Sequence, residues 1–289
     1  MTIVARDPVV VGVDGSESAL RAARTAAREA LLRHRRLLVT HAFTWALIPT
    51  NLGPNLASPR EIGLRTAAEQ LVADAVGAAE KAAPGVEVEG EVRDGAPATV
   101  LLHHAARAEL IVLGDRGLGG FTGLVIGSVA VQVAAHAACP VLVVKGATDR
   151  PGPVVVGVDG SGTAERALAF AFAEAHLRGA DLVAVLAWRR PEPIGVGGEI
   201  RPVIPDEREE GARLLEDAVA PWCARYPGVR VTRRVVPGRP AKVLVEESRR
   251  AQLTLVGARG RGGFAGLLLG SVSHTLLHHT HSPVVIVHK

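Results

Sequence analysis

One stretch of this chain is written twice. Gly114-Asp115-Arg116-Gly117 through Gly127-Ser128 returns 143 residues later as Gly257-Ala258-Arg259-Gly260 through Gly270-Ser271, and both copies keep the spacing Gly-x2-Gly-x9-Gly-Ser. Each copy follows a short apolar run, Leu110-Ile111-Val112-Leu113 or Leu253-Thr254-Leu255-Val256, and leads into a helix-like stretch. A long internal repeat of this kind means one supersecondary unit built twice. A run of four apolar residues, a glycine turn and a helix is a strand-to-helix junction of an α/β unit. Glycines there let the backbone come close to a ligand, and the free N–H groups of the helix start carry a positive dipole end. The repeat therefore predicts two copies of a phosphate cradle.

The same duplication is visible at other points. Pro8-Val9-Val10-Val11-Gly12-Val13-Asp14-Gly15-Ser16 has its twin at Pro153-Val154-Val155-Val156-Gly157-Val158-Asp159-Gly160-Ser161. A near-continuous valine run reads as a strand covered on both faces. Glu17 to about Arg33 and Thr163 to Leu177 read as helices, the first with Leu20, Ala23, Ala27 and Leu31 on its apolar face and Arg21, Arg24 and Arg28 on a solvated one. Second strands are expected at Leu37–Phe43 and Leu182–Trp188. Loops rich in Pro and Gly follow, then long helices at Pro59 to Ala82 and Pro205 to Ala224, and third strands at Val86 to Arg93 and Val229 to Val236. Gly95-Ala96-Pro97 and Gly238-Arg239-Pro240 open further helices, expected to run to about Ala108 and Ala251. Each half closes on a strand at Val141–Lys145 or Val284–Lys289. The expected fold is α/β, two tandem doubly wound domains with a five-stranded parallel sheet each, spanning residues 1–146 and 152–289.

Composition narrows the classes of function. Of the 289 residues, 33 are Lys or Arg and 29 are Asp or Glu; the halves 1–145 and 146–289 carry 14 against 14 and 19 against 15, so the whole excess of positive charge lies in the second. Nine aromatic residues leave little for stacking on single strands, so nucleic acid is not an expected partner. No apolar run is long enough to cross a membrane. Cys139 and Cys223 do not match in the repeat register, which gives no disulfide framework and fits a cytoplasmic location.

Several residues in the repeat carry candidate chemistry. Asp14 and Asp159 end a buried strand where open α/β sheets bind ligands; their competing role is to start a turn or cap a helix. Arg116 and Arg259 lie inside the cradle and either pair with phosphate or face solvent. Asp115 is replaced by Ala258 and Leu118 by Arg261, so a carboxylate near phosphate in the first lobe alone would make the lobes unequal. Neither run is a Gly-x4-Gly-Lys-Ser/Thr loop. His274 and His278 share an i, i+4 spacing that metals use, but no carboxylate or cysteine joins them at ligand spacing, and no metal site is expected there. No repeated nucleophile and base is found, so no catalytic residue is assigned.

Val-Gly-Val-Asp-Gly-Ser, Gly-x-Pro before a helix and Gly-x2-Gly-x9-Gly-Ser after the fourth strand together resemble the universal stress protein family, over nearly the whole chain and twice. The resemblance implies a Rossmann-like fold of the adenine nucleotide alpha hydrolase type and, from the glycine motif, the ATP-binding branch of the family. It implies that Asp14 and Asp159 contact ribose or a phosphate-bound metal, with Mg²⁺ the ion that ATP would bring. Ala42 and Ala187 would meet adenine through backbone groups. Gly114, Gly117, Gly127 and Ser128 in the first lobe, and Gly257, Gly260, Gly270 and Ser271 in the second, would hold ribose and phosphates, with Val129 and Val272 adding a helix-start N–H. It further implies a homo-oligomer formed through the last strand of a lobe. The expected function is a nucleotide-dependent binding and signalling module in the stress response; a slow ATP hydrolase or phosphotransferase and a nucleotide-free scaffold are the alternatives.

Overall fold

A computed structural model describes residues 7–44, 59–118, 126–146, 148–188, 206–261 and 268–288, with the side chains of 59–62 and 206–207 outside the description. The Pro- and Gly-rich loops after the second strands, and the middle of each glycine run, lie outside the described residues. The chain divides into two compact units, Met1–Val144 and Lys145–Lys289.

The first unit runs β1 (Val9–Gly12), α1 (Glu17–Arg33), β2 (Leu37–Phe43), α2 (Pro59–Ala82), β3 (Val88–Asp94), α3 (Pro97–Ala105), β4 (Leu110–Gly114), α4 (Ser128–His136) and β5 (Val141–Val144). The second repeats it as β6 (Val154–Gly157), α5 (Gly162–Arg178), β7 (Leu182–Trp188), α6 (Asp206–Arg225), β8 (Val231–Pro237), α7 (Pro240–Glu247), β9 (Leu253–Gly257), α8 (Ser271–His279) and β10 (Val284–Val287). Within the first unit the strand order is β3-β2-β1-β4-β5, and within the second β8-β7-β6-β9-β10, all pairs parallel. The chain winds outward from β1 to β3, then returns to the other side of β1 for β4. The gap between the carboxyl ends of β1 and β4 is therefore the point where the winding direction reverses, and crevices open there in such sheets.

The valine runs behave as their composition dictates. Val9, Val10 and Val11 are fully buried, as are Val154 and Val156. The helix that covers them in the first unit buries only part of the stripe expected: Ala23 and Ala27 are buried together with Ala19, Ala22, Ala26 and Ala30, whereas Leu20 is half-buried and Leu31 is 42% exposed. The cause is the distance between helix and sheet. A Cβ on Gly114 would come 2.6 Å from Ser18 Oγ and 2.9 Å from the Ser18 backbone, so α1 lies so near β4 that only small side chains fit between them. Glycine at 257 serves the same approach, with Thr163 at 2.8 Å.

α3 and α7 end at Ala105 and Glu247, short of the expected Ala108 and Ala251. The last turns tighten to Arg107 N–H donating to His104 O and Arg250 N–H to Glu247 O. The chain then joins the sheet through Glu109 N–H to Pro8 O and Gln252 N–H to Pro153 O. Cys139 is buried and Cys223 half-buried, and neither forms a disulfide. Among the described residues no helix is long and apolar enough to cross a membrane.

Candidate functional site

A cavity of about 460 Å³ opens at the switch point of the first unit, within the size range of small-molecule sites. All eight residues expected to hold a ligand in this lobe line it: Asp14, Ala42, Gly114, Arg116, Gly117, Gly127, Ser128 and Val129. They come from the ends of β1, β2 and β4 and the start of α4, which only the fold brings together.

The turn after β1 is built by Asp14. Its Oδ1 accepts from Ser16 N–H at 3.0 Å, and Ser16 Oγ in turn caps α1 by accepting from Ala19 N–H at 3.1 Å. Its Oδ2 accepts from Leu118 N–H at 2.8 Å, across to the glycine loop. The carboxylate is thus a clasp between two loops. The second unit makes the same clasp: Asp159 Oδ1 accepts from Ser161 N–H at 2.9 Å and Oδ2 from Arg261 N–H at 3.0 Å. The turn role and the site role meet in one residue, since a carboxylate oxygen keeps a second lone pair for a ligand. The clasp also explains the second glycine of the motif. A Cβ on Gly117 would lie 2.3 Å from Asp14 Oδ2, and one on Gly260 2.3 Å from Asp159 Oδ2.

The two feet of each glycine loop are tied by the backbone, Gly127 N–H to Asp115 O and Gly270 N–H to Ala258 O, both at 2.8 Å. Gly127 and Gly270 are the N-caps of α4 and α8, and neither helix has a side-chain cap. Ser128 and Ser271 are the first helical residues, one position inside the caps. Ser128 and Val129 line the cavity at this uncapped helix start. Helix-start N–H groups without an intrahelical partner attract anions.

Arg116 lines the cavity with its side chain 65% exposed and its Nε 3.9 Å from Asp115 Oδ2. Asp115 itself corrects the sequence reading. It is 7% exposed, does not line the cavity, and accepts from Ser18 Oγ at 2.6 Å with Arg21 Nη2 at 3.5 Å. Its carboxylate faces α1 rather than the phosphate position. Unequal lobes on account of that charge are not supported.

In the second unit Ala187 lies on β7, Gly257 ends β9, Arg259 and Gly260 follow it, and Gly270, Ser271 and Val272 open α8, each at the equivalent place. His274 and His278 lie 4.7 Å apart between ring centroids, with the rings tilted by 37°. Burial, with positive neighbours around it, holds His278 below the usual histidine value. Among the described residues no group of three or more His, Cys, Asp or Glu is placed to hold a metal ion.

The sequence reading missed the cavity floor. Pro97, Val100 and Leu101 of α3, with Leu113 and Thr40, complete its lining. Thr40 is visible only by comparing the repeats: it is the polar residue of a buried strand whose twin is Val185.

The family model described as Universal stress protein family matches residues 5–145 and again 152–288. A universal stress protein of Mycolicibacterium smegmatis is 38% identical over 96% of this chain and 96% of its own length. Universal stress protein Rv2623 of Mycobacterium tuberculosis is 36% identical over 97% and 96%. The crystal structure of a universal stress protein from Archaeoglobus fulgidus shares the fold, with a TM-score of 0.73 at 19% identity, covering 97% of this chain and 98% of that one. The duplicated α/β unit with an aspartate-clasped glycine loop at each switch point is thus a tandem member of the universal stress protein family.

Proposed function

We propose that each lobe binds one adenine nucleotide, ATP in the first instance, and that occupancy drives a binding or signalling output of the stress response. The observation that carries this reading is the uncapped start of α4, which with Gly114, Gly117 and Gly127 lines a cavity whose other lining residues are mostly apolar. One ligand class uses both kinds of surface at once: an anionic chain of phosphates on a flat, largely apolar base. In this reading the phosphates lie at Gly127, Ser128 and Val129, Arg116 pairs with them from the rim, and the base lies over Ala42 toward α3. Ala42 suits that position, because β1 stops at Gly12, which is in register with Thr40, while β2 runs on to Phe43. The second lobe uses Asp159, Ala187, Gly257, Arg259, Gly260, Gly270, Ser271 and Val272 in the same way. Mg²⁺ would arrive with the phosphates, with Asp14 or Asp159 as its protein ligand. That fits an ion that keeps most of its waters and takes one or two carboxylates.

The test is to denature the purified protein, identify any released nucleotide by chromatography, and titrate the stripped protein with ATP by calorimetry. One adenine nucleotide bound per lobe is the expected result. Absence of ATP binding in both measurements overturns the reading.

A further inference from the structure

The floor of the first cavity contains a polar group with nothing to bond. Thr40 is 2% exposed and lines the cavity, and among the described residues its hydroxyl has no hydrogen-bond partner. Its register partner on β1 is Gly12, so the two residues share one face of the sheet. A Cβ at Gly12 would touch Leu101 and Leu113 at 3.0 Å, so that face is the one turned toward α3. Thr40 therefore shares the cavity lining with Pro97, Val100, Leu101 and Leu113, all apolar.

The fold does not need a hydroxyl there. In the second unit the same strand position, in register with Gly157, is Val185, 1% exposed. Valine and threonine have nearly the same shape, and the two units share strand order and register. A buried hydroxyl without a partner is unfavourable relative to a methyl. Lobe 1 keeps this unfavourable group at a position lining the cavity, where a bound ligand can satisfy it.

We propose that Thr40 reads the base: its hydroxyl bonds a polar atom on the edge of the nucleobase in lobe 1, giving that lobe a base selectivity that Val185 does not give lobe 2. This rests on the nucleotide reading above and adds which part of the ligand is recognised, and in which lobe. A hydroxyl both donates and accepts, so either a ring nitrogen or an exocyclic amine can be its partner. The base is the partner rather than the phosphates, because Thr40 lies two residues from Ala42 on the same face of β2, where the reading above seats the base. A site built around a buried hydrogen-bonding group rejects a ligand that leaves it unpaired far more strongly than an apolar pocket rejects an extra methyl.

The experiment is calorimetric titration of the full-length chain and of Thr40→Val and Val185→Thr. The ligands are ATP and a set of triphosphates each lacking one polar edge group: purine riboside, 1-deaza-, 3-deaza- and 7-deazaadenosine triphosphate. In the wild-type chain, one analogue should lose about tenfold in one of the two sites. Thr40→Val should weaken ATP by a similar factor in that site alone and no longer distinguish the analogue. Val185→Thr should bring the discrimination into the other site. Thermal unfolding of ligand-free Thr40→Val should occur at the wild-type temperature or higher. ATP binding unchanged within about twofold in Thr40→Val overturns the proposal, as does an equal loss for every triphosphate. A lower unfolding temperature of ligand-free Thr40→Val would assign the hydroxyl a structural bond and also overturn it. If the wild-type chain binds no triphosphate at all, the nucleotide reading itself has failed, which is a different result from tight binding that ignores Thr40.

Discussion

At the scale of the residue, the glycines of the motif divide into two kinds. Gly117 and Gly260 are held by the fold, because the Asp14 and Asp159 carboxylates occupy the place of a side chain. Gly117→Ala should lower stability by about 1–3 kcal/mol, read as a shift of the urea midpoint, because the clasp must open to admit the methyl. Unchanged stability would show that the clasp is dispensable. Gly127 is different. Among the described residues a Cβ there meets nothing nearer than 3.8 Å, and its φ of −71° suits any residue. Gly127→Val should therefore unfold at the wild-type temperature yet lose about tenfold or more in ATP affinity at one site. A stable variant with full affinity at both sites would move the phosphates elsewhere. The spacing of the motif makes both glycines legible in the sequence, but not the division between them. Which glycine makes room for protein and which for ligand depends on the direction of Asp14, fixed by two backbone N–H groups 2 and 104 residues away. Asp115 misleads a reading by sequence for the same reason: its neighbours along the chain are cradle residues, while its hydrogen-bond partner lies on α1.

At the scale of the element, helix ends show how the sequence assigns roles. α1 and α5 are capped by Ser16 and Ser161, whereas α4 and α8 begin at glycines with no side-chain cap. α3 and α7, which start at prolines after Ala96 and Arg239, also lack a side-chain cap, so what sets α4 and α8 apart is that their open starts adjoin the glycine loops. The sequence makes the existence of these helices plain and the buried face of α1 obscure. Leucine spacing suggests one stripe, but closeness to the sheet selects the alanines. α3 and the end of the second unit carry a pH response. Burial is the main cause holding His104, His278 and His281 below the ordinary value of 6.5. For His104, Glu91 Oε1 at 2.7 Å from Nε2 opposes that effect without overcoming it. A histidine kept neutral when folded binds fewer protons than it does unfolded, so its contribution is fully present above about pH 6.5 and is lost as the pH falls below that value. The unfolding temperature should therefore drop between pH 7 and pH 5, and His104→Gln should flatten the drop. A temperature that holds or rises on acidification would refute this.

At the scale of the whole molecule, duplication provides an internal comparison. The two units share strand order, register, clasp and open helix starts, and differ at Thr40/Val185, Asp115/Ala258 and Leu118/Arg261. Every residue assigned to a site lies in the same unit as its partners. A fragment of residues 152–289 that folds should thus bind ATP with the stoichiometry of one site; a folded fragment that binds none would show that a site borrows from the other unit. The repeat is the strongest signal in the sequence because identical spacing is improbable in two unrelated loops. It is silent on the floor of the cavity, which is made from α3 and β2 residues that carry no motif.

The seat of the glycine loop on the first helix also records a route through sequence space. Ser18 donates to the Asp115 side chain at 2.6 Å, while at the twin position Thr163 donates to the Arg259 backbone carbonyl, beside Ala258. The same hydroxyl anchors the loop in both lobes: Ser18 donates to a side chain and accepts from Arg116 N–H at 3.4 Å, whereas Thr163 donates to the main chain. A lineage passing from one solution to the other has to change two positions, and the order matters. Losing the carboxylate first leaves Ser18 and Arg21 without the acceptor they share, whereas gaining the threonine methyl first crowds a junction where even a Cβ on Gly114 has no room. Ser18→Thr and Asp115→Ala should therefore be non-additive in a double-mutant cycle, the pair being less harmful than the sum of its parts. Coupling of that sign would mark the two lobes as separate solutions joined by a pass rather than as neighbours on level ground.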